Sequence, residues 1–348
     1  MTPRHLGIVV RQALEGIARR LPFHDHAARQ CAYARALLEQ GRYEEALELC
    51  ERVVRAAPAY SRAWSATATV LRLLERYADA VTAANRAVSL DPDEAQGWIE
   101  KARALAAGGR SQEALVVCDE AAKRLPHTPA VWLERARTLG TLERHHDALA
   151  ACDVAIGLDS GNARAWSTRA HVLTRARRYQ EALAACDRAL DLRPAFAPTW
   201  HRKSSLLQHL GRYQDALEAS EHAITLEPDN DEGWRLKAKA LFSLHRLDEA
   251  LAAEDRALAL DAGVADTWRS RGIILRHLGR FEEALQACDR ALELAPGLVG
   301  ALVARGKALQ SLERFEEALA AYELALASQP GDPAALAGRA ETLRQLGR

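Results

Sequence analysis

The chain has 348 residues, with 47 Lys plus Arg against 47 Asp plus Glu, a balance that leaves no global field for nucleic acid or an anionic membrane. That length exceeds the ~250 to 300 residues at which one globular core stops growing, so it implies several domains or a repeat array. Alanine and leucine are abundant, aromatics are 5%, and no 18-residue apolar run exists, which indicates an all-helical protein and excludes a membrane span.

Taken from the N-terminus, the apolar stretch 6–10 is cut off by Arg11 and is too short for a secretory signal. Val9, Ala13, Leu14, Ile17 and Leu21 have the spacing of one face of an amphipathic helix, so residues 1–26 read as a helix and linker. The six cysteines do not form a small secreted framework, which points to a reducing cytoplasm. From residue 27 the chain repeats with a step of 34: Pro58, Pro92, Pro126, Ser160, Pro194, Pro228, Ala262, Pro296 and Pro330 occupy one column. All seven tryptophans keep the same step, at Trp64, Trp98, Trp132, Trp166, Trp200, Trp234 and Trp268. A leucine column runs from Leu37 to Leu343 and an alanine column from Ala46 to Ala318. The full units are 27–60, 61–94, 95–128, 129–162, 163–196, 197–230, 231–264, 265–298 and 299–332, followed by a half unit, 333–348.

With each unit numbered from 1 so that Trp falls at position 4, apolar residues recur at helical spacing, as in Trp200, Ser204 and Leu207, then Ala216, Leu217, Ala223 and Ile224. Two amphipathic helices result, and neither has enough apolar surface to fold without a neighbouring unit. Small residues at positions 8, 20 and 27 let backbones approach, while Trp at 4 and Tyr at 17 fill the space left. Truncating a buried Trp there should cost ~3 to 5 kcal/mol. Proline at 32 stops the second helix, and polar residues are expected to cap the next, as in "DPDEAQGW" and "EPDNDEGW". Arg at 16 and an acid at 19 are placed to pair on the surface, a weak interaction.

Trp at 4, a small residue at 8, Leu at 11, Gly or polar at 15, Tyr or Phe at 17, Ala at 20 and 27 and Pro at 32 together resemble the tetratricopeptide repeat. Departures are Ser111, His145 and Leu247 at position 17, and cysteine at position 24, where an aromatic is common. The resemblance implies an all-α, right-handed superhelical solenoid of antiparallel helix pairs, with ligands on the concave side lined by the first helices.

Five of the six cysteines (Cys50, Cys118, Cys152, Cys186 and Cys288) fall at position 24, facing inward, where thiols act as small apolar groups. The "HDH" and "HHD" triplets at 24–26 and 145–147 lack further ligands at metal spacing, and no phosphate loop, nucleophile elbow or carboxylate pair appears. No catalytic residue, cofactor or metal is therefore expected. Positions 2, 5, 6, 9, 12 and 13 of the first helices read as exposed and carry 14 Lys or Arg against 6 Asp or Glu. Arg103, Arg137, His171, His201, Arg202, Arg235, Lys239, Arg269 and Lys307 form the middle of this basic wall, which suits carboxylates.

The expected function is a non-enzymatic scaffold that holds a protein or peptide segment, acidic or with a free carboxylate, in the concave groove. The alternative is the sensor or recruitment module of a larger bacterial effector, because "AETLRQLGR" stops where a second helix would begin. Exposed terminal repeats could pair two copies as a homodimer. The first-helix asparagines of chaperone-binding relatives are missing, and without stacking aromatics on the inner face RNA is not the expected partner.

Overall fold

Each unit folds as two helices because its apolar residues recur at helical spacing on two stretches separated by a tight stop. A computed structural model describes residues 23–348, with side chains from residue 26. Nineteen helices run from Phe23–Glu39 to Pro333–Gln345, and among the described residues there is no strand. The expected helix through Val9, Ala13, Leu14, Ile17 and Leu21 lies outside the described residues, as does the side chain of His24.

The chain divides into two compact units, one ending at Arg177 and the other beginning at Arg178. After the 17-residue helix Phe23–Glu39, 14-residue second helices alternate with 13-residue first helices within each unit. Ala95–Ala107 and Ser111–Arg124 illustrate this in the first unit, Asp231–Ser243 and Leu247–Leu260 in the second. So short a connection forces the chain to reverse, and within each unit every helix lies along the next.

That reversal is a Schellman turn. Position 15 is left-handed throughout, with φ of +73° at Gly211 and +59° at Glu143, and the N–H at position 16 donates back to the carbonyl of the position-11 leucine, as from Arg144 to Leu139 and from Arg212 to Leu207. The arginine at position 16 then starts the second helix and pairs with the acid three residues on, as in Arg110 with Glu113 (2.7 Å) and Arg246 with Glu249 (2.6 Å). These pairs are solvent-exposed and orient the helix start more than they stabilise it.

The start of the first helix differs from the sequence expectation in one motif. In "EPDNDEGW" Asn230 Oδ1 accepts from Glu232 N at 3.0 Å, a true cap. In "DPDEAQGW" the helix start at Glu94 has no side-chain cap, because its carboxylate accepts from Ser61 Oγ and Arg62 Nε, both at 2.9 Å.

Alanine at position 20 is fully buried in all nine units, and the position-11 leucines from Leu37 to Leu309 lie at the same depth. The tryptophans do not. All seven are half-buried, which lowers the expected cost of truncation from that of a core residue to ~2 kcal/mol. Their role is also more specific than filling space. Each indole N–H donates to the backbone carbonyl six residues earlier, at position 32, over 2.8 to 3.2 Å. The exposed indole face carries a cation from position 7, as with Lys203 over Trp200 and Lys237 over Trp234. The same cation reaches the acid at position 25 of the preceding repeat: Arg135 to Asp119 (2.7 Å), Lys203 to Asp187 (2.7 Å), Arg305 to Asp289 (2.6 Å).

Position 24 is the slot that varies. It holds buried thiols at Cys50, Cys118, Cys152, Cys186 and Cys288, and burial pushes each of them up to about 12. At Tyr322 it holds a fully buried ring whose hydroxyl donates to Gln310 Oε1 at 2.6 Å. Room for that ring comes from two glycines: a Cβ at Gly306 or Gly338 would lie 2.7 or 2.4 Å from it. Gly306→Ala should therefore cost ~2 kcal/mol or more in chemical denaturation, and Tyr322→Cys should remove most of that penalty in a double-mutant cycle.

Candidate functional site

The nine basic-wall residues are divided between the two units, Arg103, Arg137 and His171 in the first and the other six in the second. In the first unit, Arg103 and Arg137 sit on the helices Ala95–Ala107 and Pro129–Thr141 beside two glutamates at position 6, Glu100 and Glu134, which are 1% and 3% exposed. Arg103 bonds to Glu100 Oε1 (3.0 Å) and Glu134 Oε2 (2.9 Å), Arg137 Nε to Glu134 Oε1 (3.0 Å), and Arg72 to Glu100 Oε2 (3.3 Å). Burial pulls the Arg103 guanidinium down, but Glu134 and Glu100 outweigh it and hold the group above its usual value. The cations of this unit are thus largely consumed by internal carboxylates. His171 lies half-buried on Ala163–Arg175.

In the second unit, His201 is buried at 5% exposure, with Nδ1 3.7 Å from Glu232 Oε2. Position 5 is not open in this repeat as the helical wheel implies, although Arg235 and Arg269, at the same position in later repeats, are half-buried and reach the cavity described below. Ser65, Ile99, Leu133 and Ser167, at the same position, are buried too. The cause is the next repeat: a Cβ at Gly233 would lie 3.4 Å from His201 Nε2. Arg202 is half-buried, and burial lowers its guanidinium from the usual value. Lys307 is exposed and outside the pocket described next.

Arg235, Lys239 and Arg269 are brought together. They line a cavity of ≈ 390 Å³ formed by the helices Asp231–Ser243, Leu247–Leu260 and Ala265–His277, with Phe242, Ile273 and Ile274 as apolar wall. Arg235 bonds to Asp231 Oδ2 (2.9 Å) and Arg269 to Asp266 Oδ1 (2.8 Å), while Lys239 is exposed and makes no ion pair among the described residues.

The cavity also contains Glu254, a residue the sequence reading passed over. It occupies position 24 of its unit, the column of cysteines, and is 3% exposed. Its Oε2 has no hydrogen-bond partner. Burial pushes its carboxyl up to about 8, against the pull of Arg235 and Arg269 and with some help from Asp255. An acid in a column of Cys, Ala, Ser and Tyr was the available signal. Chemically, the cavity offers three cations above a floor that is a neutral carboxylic acid at pH 7, a combination suited to gripping an anionic group. No helix among the described residues is long and apolar enough to cross a membrane.

Tetratricopeptide repeat family models match residues 12–61, 31–95, 65–129, 202–265 and 303–348, and two further models of the same description match 265–298 and 163–196. No curated protein matches the chain by sequence. Among solved structures, the chain is similar to one from the APC/C hetero-tetramer Cut9–Hcn1, with a TM-score of 0.64 and 15% identity over 95% of this chain and 66% of that one. The chain therefore spans about two thirds of that neighbour's length. YrrB, described as a TPR protein with an unusual peptide-binding site, aligns with a TM-score of 0.44 and 24% identity over 55% of this chain and 98% of its own. MamA aligns with a TM-score of 0.43 and 20% identity, covering 48% and 92%.

A carboxyl that is neutral when folded and ionised when unfolded makes stability fall as pH rises. The loss begins near the unfolded value and is complete once pH passes the folded one at about 8. Glu254→Gln removes this titration. Thermal melts should show the variant gaining on the wild type from about pH 5 to about pH 8, by on the order of 1 to 3 kcal/mol, with the gap constant above.

Proposed function

The chain belongs to the tetratricopeptide repeat family, and from that premise we propose that it is a non-catalytic scaffold that binds an acidic protein or peptide segment on the first helices of its second unit. One observation carries the reading: Arg235, Lys239 and Arg269 converge on a single open cavity, and Lys239 has no carboxylate of its own. In the first unit Arg103 and Arg137 are already bound to Glu134, so charge there serves cohesion between repeats. The cavity's apolar wall adds contact area for side chains flanking the acidic group. Six buried, free cysteines suit a reducing compartment such as the cytoplasm.

The contribution of each cation is electrostatic, so binding should weaken as salt rises. A fluorescein-labelled hexaglutamate peptide should bind the wild type at pH 7 in 50 mM salt. Replacing Arg235, Lys239 and Arg269 together with glutamine should weaken it roughly tenfold or more, with helical circular dichroism unchanged. Equal affinity in the triple variant would reject the site.

A further inference from the structure

Glu254 is a feature that acidic-segment binding alone does not call for. A carboxyl group at the base of a cavity, 3% exposed and with an oxygen lacking any partner, is costly unless something completes its hydrogen bonding. The other eight units hold Cys, Ala, Ser or Tyr in this slot, so the helix pair does not require an acid there.

Two kinds of group could complete it. A cation would have to pass Arg235, Lys239 and Arg269, all of which line the entrance and repel it. A carboxylate meets an attractive field and finds a donor in a protonated Glu254. Resting on the acidic-segment reading above, we infer that the cavity seats a single aspartate or glutamate side chain of the partner, whose carboxylate takes a hydrogen bond from the Glu254 carboxyl while the three cations neutralise it.

The surrounding charges fix the sign of the pH response. Arg235, Lys239 and Glu232 face the cavity from Asp231–Ser243, and Arg269 and Asp266 from Ala265–His277. Asp255, next to Glu254 on its own helix, is held by Arg271 at 2.7 Å. With Glu254 protonated, the lining has three cations against Glu232 and Asp266. Once Glu254 ionises, the charges balance, and two carboxylates would face each other at the floor. Burial sets that change at about pH 8, so retention falls above it.

The test uses the full chain and a C-terminally amidated, fluorescein-labelled hexaglutamate, followed by anisotropy from pH 6.5 to 9.5 at fixed ionic strength. Wild-type affinity should be level to about pH 7.5 and fall roughly tenfold by pH 9, since about one Glu254 in eleven is then protonated. Glu254→Gln keeps an N–H donor at every pH, so its affinity, whatever its level at pH 7, should not fall between pH 7 and pH 9. A wild-type affinity that is level to pH 9, or a glutamine variant that falls in parallel, would overturn the assignment of Glu254 and leave the acidic-segment reading standing. A labelled hexalysine that binds more tightly as pH rises, through Glu254, would overturn it in favour of a cationic side chain. Absence of hexaglutamate binding at every pH would remove the acidic-segment reading itself.

Discussion

From the first repeat to the seventh, each ends in a turn whose position-32 carbonyl has no helical partner, and the indole N–H of the next repeat's tryptophan supplies one. This bond fixes the angle at which one unit enters the next. It explains why the column tolerates Ser160 and Ala262 in place of proline: the carbonyl is what the indole reads, and every residue type has one. It also explains why tryptophan never varies at position 4 from the second to the eighth unit. The ring must cover the turn, present an N–H at one point and leave a face for the position-7 cation, which in turn reaches the preceding repeat. Three columns of the sequence are thereby coupled at the junctions of Trp132, Trp200 and Trp234.

Against that constant junction, position 24 is where the units differ. The thiols of Cys50, Cys118, Cys152 and Cys186 share their repeats with alanine at position 8, whereas Cys288 packs against Gly272 and the ring of Tyr322 demands glycine at 306 and 338. Glu254 fits by volume but not by chemistry, and its cost is met only where a cavity and three cations adjoin it. The candidate site is thus a local departure in a slot that the repeat architecture keeps buried, which makes its chemistry different from that of the exposed ion pairs.

Much of the fold was legible because the repeat forces particular residue types into fixed columns: leucine at 11, alanine at 20, the breaker at 32, the arginine and acid at 16 and 19. The surface was less legible. A helical wheel treats one helix alone, so it placed position 5 outside, whereas the following first helix covers Ser65, Leu133 and His201. The wheel also treats Arg103 and Arg137 as free charge, because it places Glu100 and Glu134 outside, whereas packing between adjacent repeats buries both carboxylates and lets Arg103 bridge them. Arg235, Lys239 and Arg269 were singled out from the same count. What the residue letters do not carry is that they surround a neutral carboxyl, since the protonation of Glu254 depends on burial.

The account depends most on the indole bond, and indole hydrogen exchange measures it directly. All seven tryptophan side-chain N–H signals should persist in heavy water far longer than those of a free tryptophan, at rates comparable to the backbone amides of their own helices. Rapid exchange at Trp132 or Trp200 while the surrounding helical amides stay protected would show that the junction is held by something else.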